Sequence, residues 1–129
     1  IGAVSLFVAS IGIANTMMMS IYERTKEIGI MKVLGCDMNR IRDMFLIESG
    51  AIGLIGGVTG VIFSFIISMI INALGVASVV AEVDGNISRI PPWLVISAII
   101  FAIVIGMVAG FFPSLRAMKL SPLTALRND

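Results

Sequence analysis

Residues 49–81, SGAIGLIGGVTGVIFSFIISMIINALGVASVVA, contain no Asp, Glu, Lys or Arg. As unbroken helix this run would reach about 50 Å at 1.5 Å per residue, past the roughly 30 Å of hydrocarbon in a bilayer. Two further stretches, 1–22 and 90–115, are equally free of charge, and each exceeds the roughly 20 residues a spanning helix needs. A chain of 129 residues is too short to hide three such helices in a soluble core. The sequence therefore predicts an all-α membrane protein with three transmembrane helices at about 1–22, 46–75 and 92–113. Composition agrees. Hydrophobic residues make up 58% of the chain and mean hydropathy is +1.07, against roughly 45–50% apolar residues in soluble domains.

Charge supplies an orientation. Of the nine Lys and Arg residues, all but Arg89 fall in Arg24–Arg42 or Arg116–Arg127. Basic residues gather in short loops on the cytoplasmic side of a membrane. Residues 23–45 and the C-terminal tail are thus expected in the cytosol, in a multi-pass membrane protein. Arg24 and Lys26 follow the first apolar run, whereas a signal peptide carries its positive charge in front. The first span therefore runs from outside to inside. Such a start leads to the expectation that an upstream part of a longer protein precedes Ile1.

Between the first two spans lies ERTKEIGIMKVLG, Glu23–Gly35. Ile28, Met31 and Leu34 recur at helical spacing, Ile30 and Val33 widen the stripe, and Glu23, Lys26 and Glu27 mark the opposite side. Acids near the start and Lys32 near the end suit the helix dipole, and Gly35 suits a left-handed stop. An amphipathic cytoplasmic helix is expected. Gly29 inside it costs roughly 1 kcal/mol relative to Ala, which points to a close approach by another backbone. Asp37 is a candidate N-cap for the next helix. That helix begins amphipathic, with Met38, Ile41 and Phe45 against Arg40, Arg42 and Asp43, then turns wholly apolar after Glu48. Glu48, at the edge of the span, is expected to pair with Arg40 or Arg42.

Small residues are spaced for close packing. Gly53–Gly57 and Gly56–Gly60 form overlapping GxxxG patterns and Gly106–Gly110 forms another; such faces let backbones approach and gain van der Waals contact in lipid. In the first span Ser5, Ser10, Asn15 and Thr16 are expected to face protein, with Asn15 bonded to a neighbouring helix. Asp84-Gly85 is placed to turn a small outer hairpin, and the Asn86-Ile87-Ser88 glycosylation sequon beside it is discounted as a chance match. Pro91 and Pro92 suit the start of the third span, Trp93 an interfacial anchor, and Pro113 its exit.

Several functions are excluded by what the sequence lacks. A GxxxxGK[ST] phosphate loop is missing, so ATP is not bound by that route. With no His and one Cys, neither a Ser-His-Asp set, a Cys-His dyad nor a metal cluster can be assembled. Cys36 reads as a small, partly buried residue. Proton- or ion-coupled carriers keep ionisable groups at mid-membrane depth, and these spans have none. A net charge of +1 without a basic, aromatic-studded face gives no footprint for nucleic acid. What remains is a helix bundle with a charged elbow, suited to transmitting movement or docking a partner.

The stretch YERTKEIGIMKVLGCDMNRIRDMFLIES, Tyr22–Ser49, followed by GxxGGxxG at Gly53–Gly60, resembles the C-terminal permease region of MacB/FtsX-type ABC transporters. The family pattern runs close to ERTxEIGxxxAxGA, then IxxxFLxEA, then a Gly-rich helix. The closing PSLRAMKLSPLTALR, Pro113–Arg127, is similar to the family's PAxxAAxxxPxxALR ending. Val33, Cys36, Ser49, Ser114 and Met118 stand where Ala is common. Together the motifs cover nearly the whole chain.

The resemblance implies a fragment of a four-helix permease whose first helix and large extracytoplasmic domain precede Ile1, roughly 200 residues or more by ordinary domain size. It implies a homodimer or a pair of related permeases, two ABC ATPase subunits or domains carrying ATP and Mg²⁺, and an extracytoplasmic adaptor in some members. No cofactor is expected on this segment itself. Glu23–Gly35 would be the coupling helix in the ATPase groove. Arg24, Lys26, Glu27 and Lys32 would lie at its rim; Ile28, Ile30, Met31 and Leu34 would divide between groove and membrane helices. Thr25 falls within the same motif, and Gly29 would let the partner approach. Ser5, Gly12 and Asn15 are the candidate dimer seam by the same analogy. The implied function is mechanotransmission, in which cytoplasmic ATP hydrolysis moves the external domain and expels a peptide, antibiotic or lipid-like substrate. Regulation of cell-wall hydrolases, lipoprotein release and a membrane protein without an ATPase stay open as alternatives.

Overall fold

The computed structural model describes residues 1–74 and 90–119. Among the described residues four helices follow in order: α1 (Gly2–Glu23), α2 (Thr25–Val33), α3 (Met38–Ala73) and α4 (Pro92–Lys119). Three of them, α1, α3 and α4, are long and apolar enough to cross a membrane. The expected all-α membrane architecture is what the chain adopts. The Asp84-Gly85 hairpin, the Asn86 sequon, Arg89 and the tail from residue 120 lie outside the described residues.

Local chemistry sets most helix ends. A single residue, Arg24, separates α1 from α2 with φ −101° and ψ 15°, and its N–H still donates to the Ser20 carbonyl at 3.1 Å. The elbow is thus nearly continuous with α1. Gly35 ends the elbow at φ 80°, a left-handed conformation that glycine adopts without a Cβ penalty. Around it Cys36 N–H donates to Met31 O at 3.0 Å and Gly35 N–H to Lys32 O at 3.1 Å. That bond pair is the Schellman stop, which satisfies carbonyls the helix leaves open. Asp37 then caps α3, its carboxylate accepting from Asn39 N–H at 3.2 Å.

One boundary differs from expectation. Helix α4 does not leave at Pro113; it runs through it to Lys119. Proline removes the N–H that would bond the Ala109 carbonyl. Membrane helices tolerate that loss where neighbouring groups re-satisfy the backbone. Here Pro113 lies buried between Gly110 and Ser114 on the packed face, and the helix continues past it.

Helices α3 and α4 pack antiparallel, the most extensive contact among the described helices. The buried residues of α4 are Gly106, Gly110, Pro113, Ser114 and Ala117, a row of small residues along one face. Gly53 abuts the Ala102 carbonyl and Gly57 meets Ala102 and Ile99, while Gly110 takes the Ser49 side chain. A Cβ on Gly106 would sit 2.6 Å from Ser49 O and 3.1 Å from Gly53 Cα. Gly50, absent from the GxxxG reading, also faces α4, against Met107 and Ile103. Gly56 and Gly60 have nothing within 4 Å. Helical spacing rotates these two off the contact face, so only one of the overlapping patterns serves this contact.

The buried apolar core lies elsewhere, at the elbow end. Met17 and Ile21 of α1, Ile28 of α2, Ile41 and Phe45 of α3 and Ala117 of α4 converge there, with Ile13, Met31 and Ile52 packed around them. All four helices contribute. The long halves of the spans away from the elbow expose large apolar side chains such as Phe63, Ile67 and Phe101, as a lipid-facing surface requires.

Candidate functional site

The elbow has two faces of different character. Ile28 and Gly29 are buried, and Met31 packs against the core. Lys26, Glu27, Ile30, Val33 and Leu34 are exposed, Leu34 at 80% and Ile30 at 46%. Thr25 is half-buried, its hydroxyl donating to Ile21 O and Tyr22 O, both at 2.9 Å. The apolar stripe read from the sequence therefore splits. One part plugs α2 into the bundle; the rest lies open.

Lys32 belongs to the inner side. Its ammonium donates to Ala117 O at 3.2 Å and to Met118 O at 2.7 Å. These are main-chain carbonyls in the last turn of α4, four groups of which no helix satisfies internally. A cation there also meets the negative end of the helix dipole. Desolvation by burial lowers the Lys32 pKa from the ordinary lysine value. Lys32 thus ties the elbow to the end of α4 and does not sit on the exposed rim with Lys26 and Glu27. Spacing alone gave no sign of this tie, because its acceptors are backbone atoms 85 and 86 residues away.

Gly29 is likewise enclosed by its own chain. Arg24, at the junction, and Glu23 are exposed, as is Gly35.

Glu48 corrects another expectation. Arg42 pairs with adjacent Asp43 at 2.7 Å, the ion pair present among the described residues. Glu48 instead accepts from the Ser20 hydroxyl of α1 at 3.4 Å. This long, half-buried polar contact links two spanning helices beside the elbow.

Helix α1 carries the remaining candidates. Ser5, Gly12 and Asn15 are all exposed, and Gly12 has no neighbour within 4 Å. The hydroxyls of Ser5, Ser10 and Thr16 donate to carbonyls four residues back, at 3.2, 2.8 and 2.9 Å. Asn15 has no bond to a neighbouring helix among the described residues; it borders a furrow between α1 and α4. No group of His, Cys, Asp and Glu suited to a metal ion occurs among the described residues.

Comparison with known proteins matches the sequence to a family. The sequence signature of the FtsX-like permease C-terminal domain covers residues 1–122. An ABC transporter permease of Methanocaldococcus jannaschii is 38% identical over 130 residues, covering 100% of this chain and 32% of the relative. The ABC transporter permease YtrF of Bacillus subtilis is 39% identical over 137 residues, covering 100% of this chain and 31% of YtrF. The macrolide export ATP-binding/permease protein MacB of Neisseria meningitidis is 39% identical over 129 residues, covering 100% of this chain and 19% of that MacB. The chain thus spans about a third or less of the curated relatives it matches. With its three membrane-crossing helices, its inward-packed elbow and this match along nearly its whole length, the chain belongs to the FtsX-like permease C-terminal domain family.

Proposed function

We propose that the chain is the membrane lever of an ABC transporter permease. In this reading, ATP hydrolysis on a partner ATPase pushes the exposed face of α2, and the bundle carries the movement to the far side of the membrane. One observation carries it: α2 is keyed into all three spanning helices on one side, through Ile28, Met31 and Lys32, and leaves Lys26, Ile30, Val33 and Leu34 open on the other. A helix resting at a lipid interface needs no cation locked to another helix's carbonyls. A lever does.

The ATPase side is the cytoplasm, consistent with the basic residues that cluster at the elbow and the end of α4. The permease then lies in the cytoplasmic membrane. The MacB relative, named for macrolide export and carrying an ATP-binding part in the same chain, supports export of antibiotic-, peptide- or lipid-like molecules, and a lever of this kind would act by mechanotransmission. The exposed polar and small residues of α1, Ser5, Gly12 and Asn15, fit a homodimer seam, because such residues favour helix–helix contact over lipid. Gly12→Cys in the full-length permease should trap a disulfide dimer in membranes; failure of trapping at all three positions removes the seam.

Co-purification tests the reading. The full-length permease should retain an ATP-binding subunit or domain interaction, and Ile30→Asp with Leu34→Asp should weaken it by about thirty-fold or more, as loss of an interfacial hot spot does. The variant should stay inserted and folded, since both side chains are exposed. Undiminished ATPase binding, or none by the unaltered permease, would contradict the proposal.

A further inference from the structure

A furrow runs along the seam between α1 and α4. At the end where both helices finish, it has a volume of about 530 Å³, with Arg116 and Lys119 among its lining residues and no acid among the described ones. It continues through Ile11, Ala14 and Phe112 into a second, almost wholly apolar part of about 270 Å³ that reaches Phe7 and Val108. Arg116 and Lys119 are exposed, and neither joins an ion pair among the described residues. One track is therefore cationic at its membrane-surface end and greasy along the rest.

We propose that this furrow holds one anionic phospholipid, its phosphate at Arg116 and Lys119 and an acyl chain along Ile11, Ala14 and Phe112. Charge complementarity supplies the first argument. Basic pockets between spanning helices select anionic headgroups, each Lys or Arg adding attraction beyond the apolar contact. Length supplies the second. From Phe7 to Met18 the α1 wall extends about 16 Å, close to half of the roughly 30 Å hydrocarbon thickness. That matches the reach of one leaflet. A further spanning helix would need a track through both leaflets, whereas the two parts of the furrow run from Phe7 and Ile105 to the basic end. The site adjoins the Lys32 tie at Ala117 and Met118, so an occupant would brace the last turn of α4 against α1.

Photolabelling of the full-length permease in nanodiscs tests this. Phosphatidylglycerol and phosphatidylcholine probes, each with a diazirine on the acyl chain, are compared, and labelled residues are mapped by mass spectrometry. Phosphatidylglycerol should label the furrow residues preferentially, and Arg116→Gln with Lys119→Gln should cut that labelling by about tenfold or more. Phe63 and Ile67, on the exposed face of α3, should react equally with both probes and in both proteins. Ala14→Trp, which fills the track while keeping the charges, should also abolish furrow labelling. Equal labelling by both probes, indifference to the double substitution, or a furrow that stays unlabelled while Phe63 reacts would each overturn the proposal; the last would show that protein covers the groove.

Discussion

Gly106→Leu is expected to destabilise the α3–α4 pair by about 1–3 kcal/mol or more, the range for overpacking a filled interface. The reason is the nature of the neighbour. An added Cβ would meet Ser49 O at 2.6 Å and Gly53 Cα at 3.1 Å, both backbone atoms that no rotamer change can move. Relief requires α3 and α4 to separate, which also pulls Gly53 from Ala102 and Gly110 from Ser49. The molecule contains its own control. Gly56→Ala and Gly60→Ala add a Cβ where nothing lies within 4 Å, and helix propensity favours Ala over Gly by roughly 0.5–1 kcal/mol. Thermal unfolding of the full-length permease in detergent should therefore fall for Gly106→Leu and hold or rise for the two alanine variants. Equal behaviour of the three would show that the pair does not use the contact face described.

Lys32→Met should separate ATP turnover from transport. The substitution keeps the apolar stem and deletes the ammonium that reaches Ala117 O and Met118 O. A hydrogen bond from a charged group contributes about 1.5–3 kcal/mol, with the lower end appropriate to a half-buried side chain. Losing both frees the end of α4 from the elbow. Transport is expected to drop by about tenfold while hydrolysis persists, and Lys32→Arg should recover most of it. An alkaline signature accompanies the tie. Burial opposes the charged form and holds the Lys32 pKa below its usual value, so the folded state binds this proton less tightly than the unfolded chain. Stability from this group should then rise as pH climbs from the lowered pKa toward the ordinary lysine value of about 10.4. Lys32→Met should lack that rise.

What could be read from the sequence was what local chemistry decides. Uncharged runs located the three spans, Gly35 the end of the elbow and Asp37 the start of α3, because each depends on residues next to it. Pro113 misled: proline normally ends a helix, but the packed row Gly106–Ala117 holds α4 together through it. Glu48 misled for a different reason. Arg42 had a nearer acid in Asp43, and the group that reaches Glu48 is Ser20, 28 residues away on α1. The glycine pattern named both Gly53 and Gly56, yet only the position of α4 decides which of them is used. Gly50 was detectable in principle, since Gly50, Gly53 and Gly57 lie on one helical face at spacings of three and four. The split of the elbow stripe, with Ile28 inward and Leu34 outward, depends on where Met17, Phe45 and Ala117 arrive. No periodicity within Glu23–Gly35 carries that information.

The central claim is that the open face of α2 is pushed from the cytoplasm by an ATPase. Leu34→Cys, in a Cys36→Ser background of the full-length permease, tests it most directly, because Leu34 is 80% exposed on that face. In native membranes this cysteine should cross-link to the ATP-binding domain through a short bismaleimide, with a yield that changes on adding ATP, and should resist an impermeant maleimide applied outside intact cells. Labelling from outside, or no cross-link to an ATP-binding domain in either nucleotide state, would contradict the account.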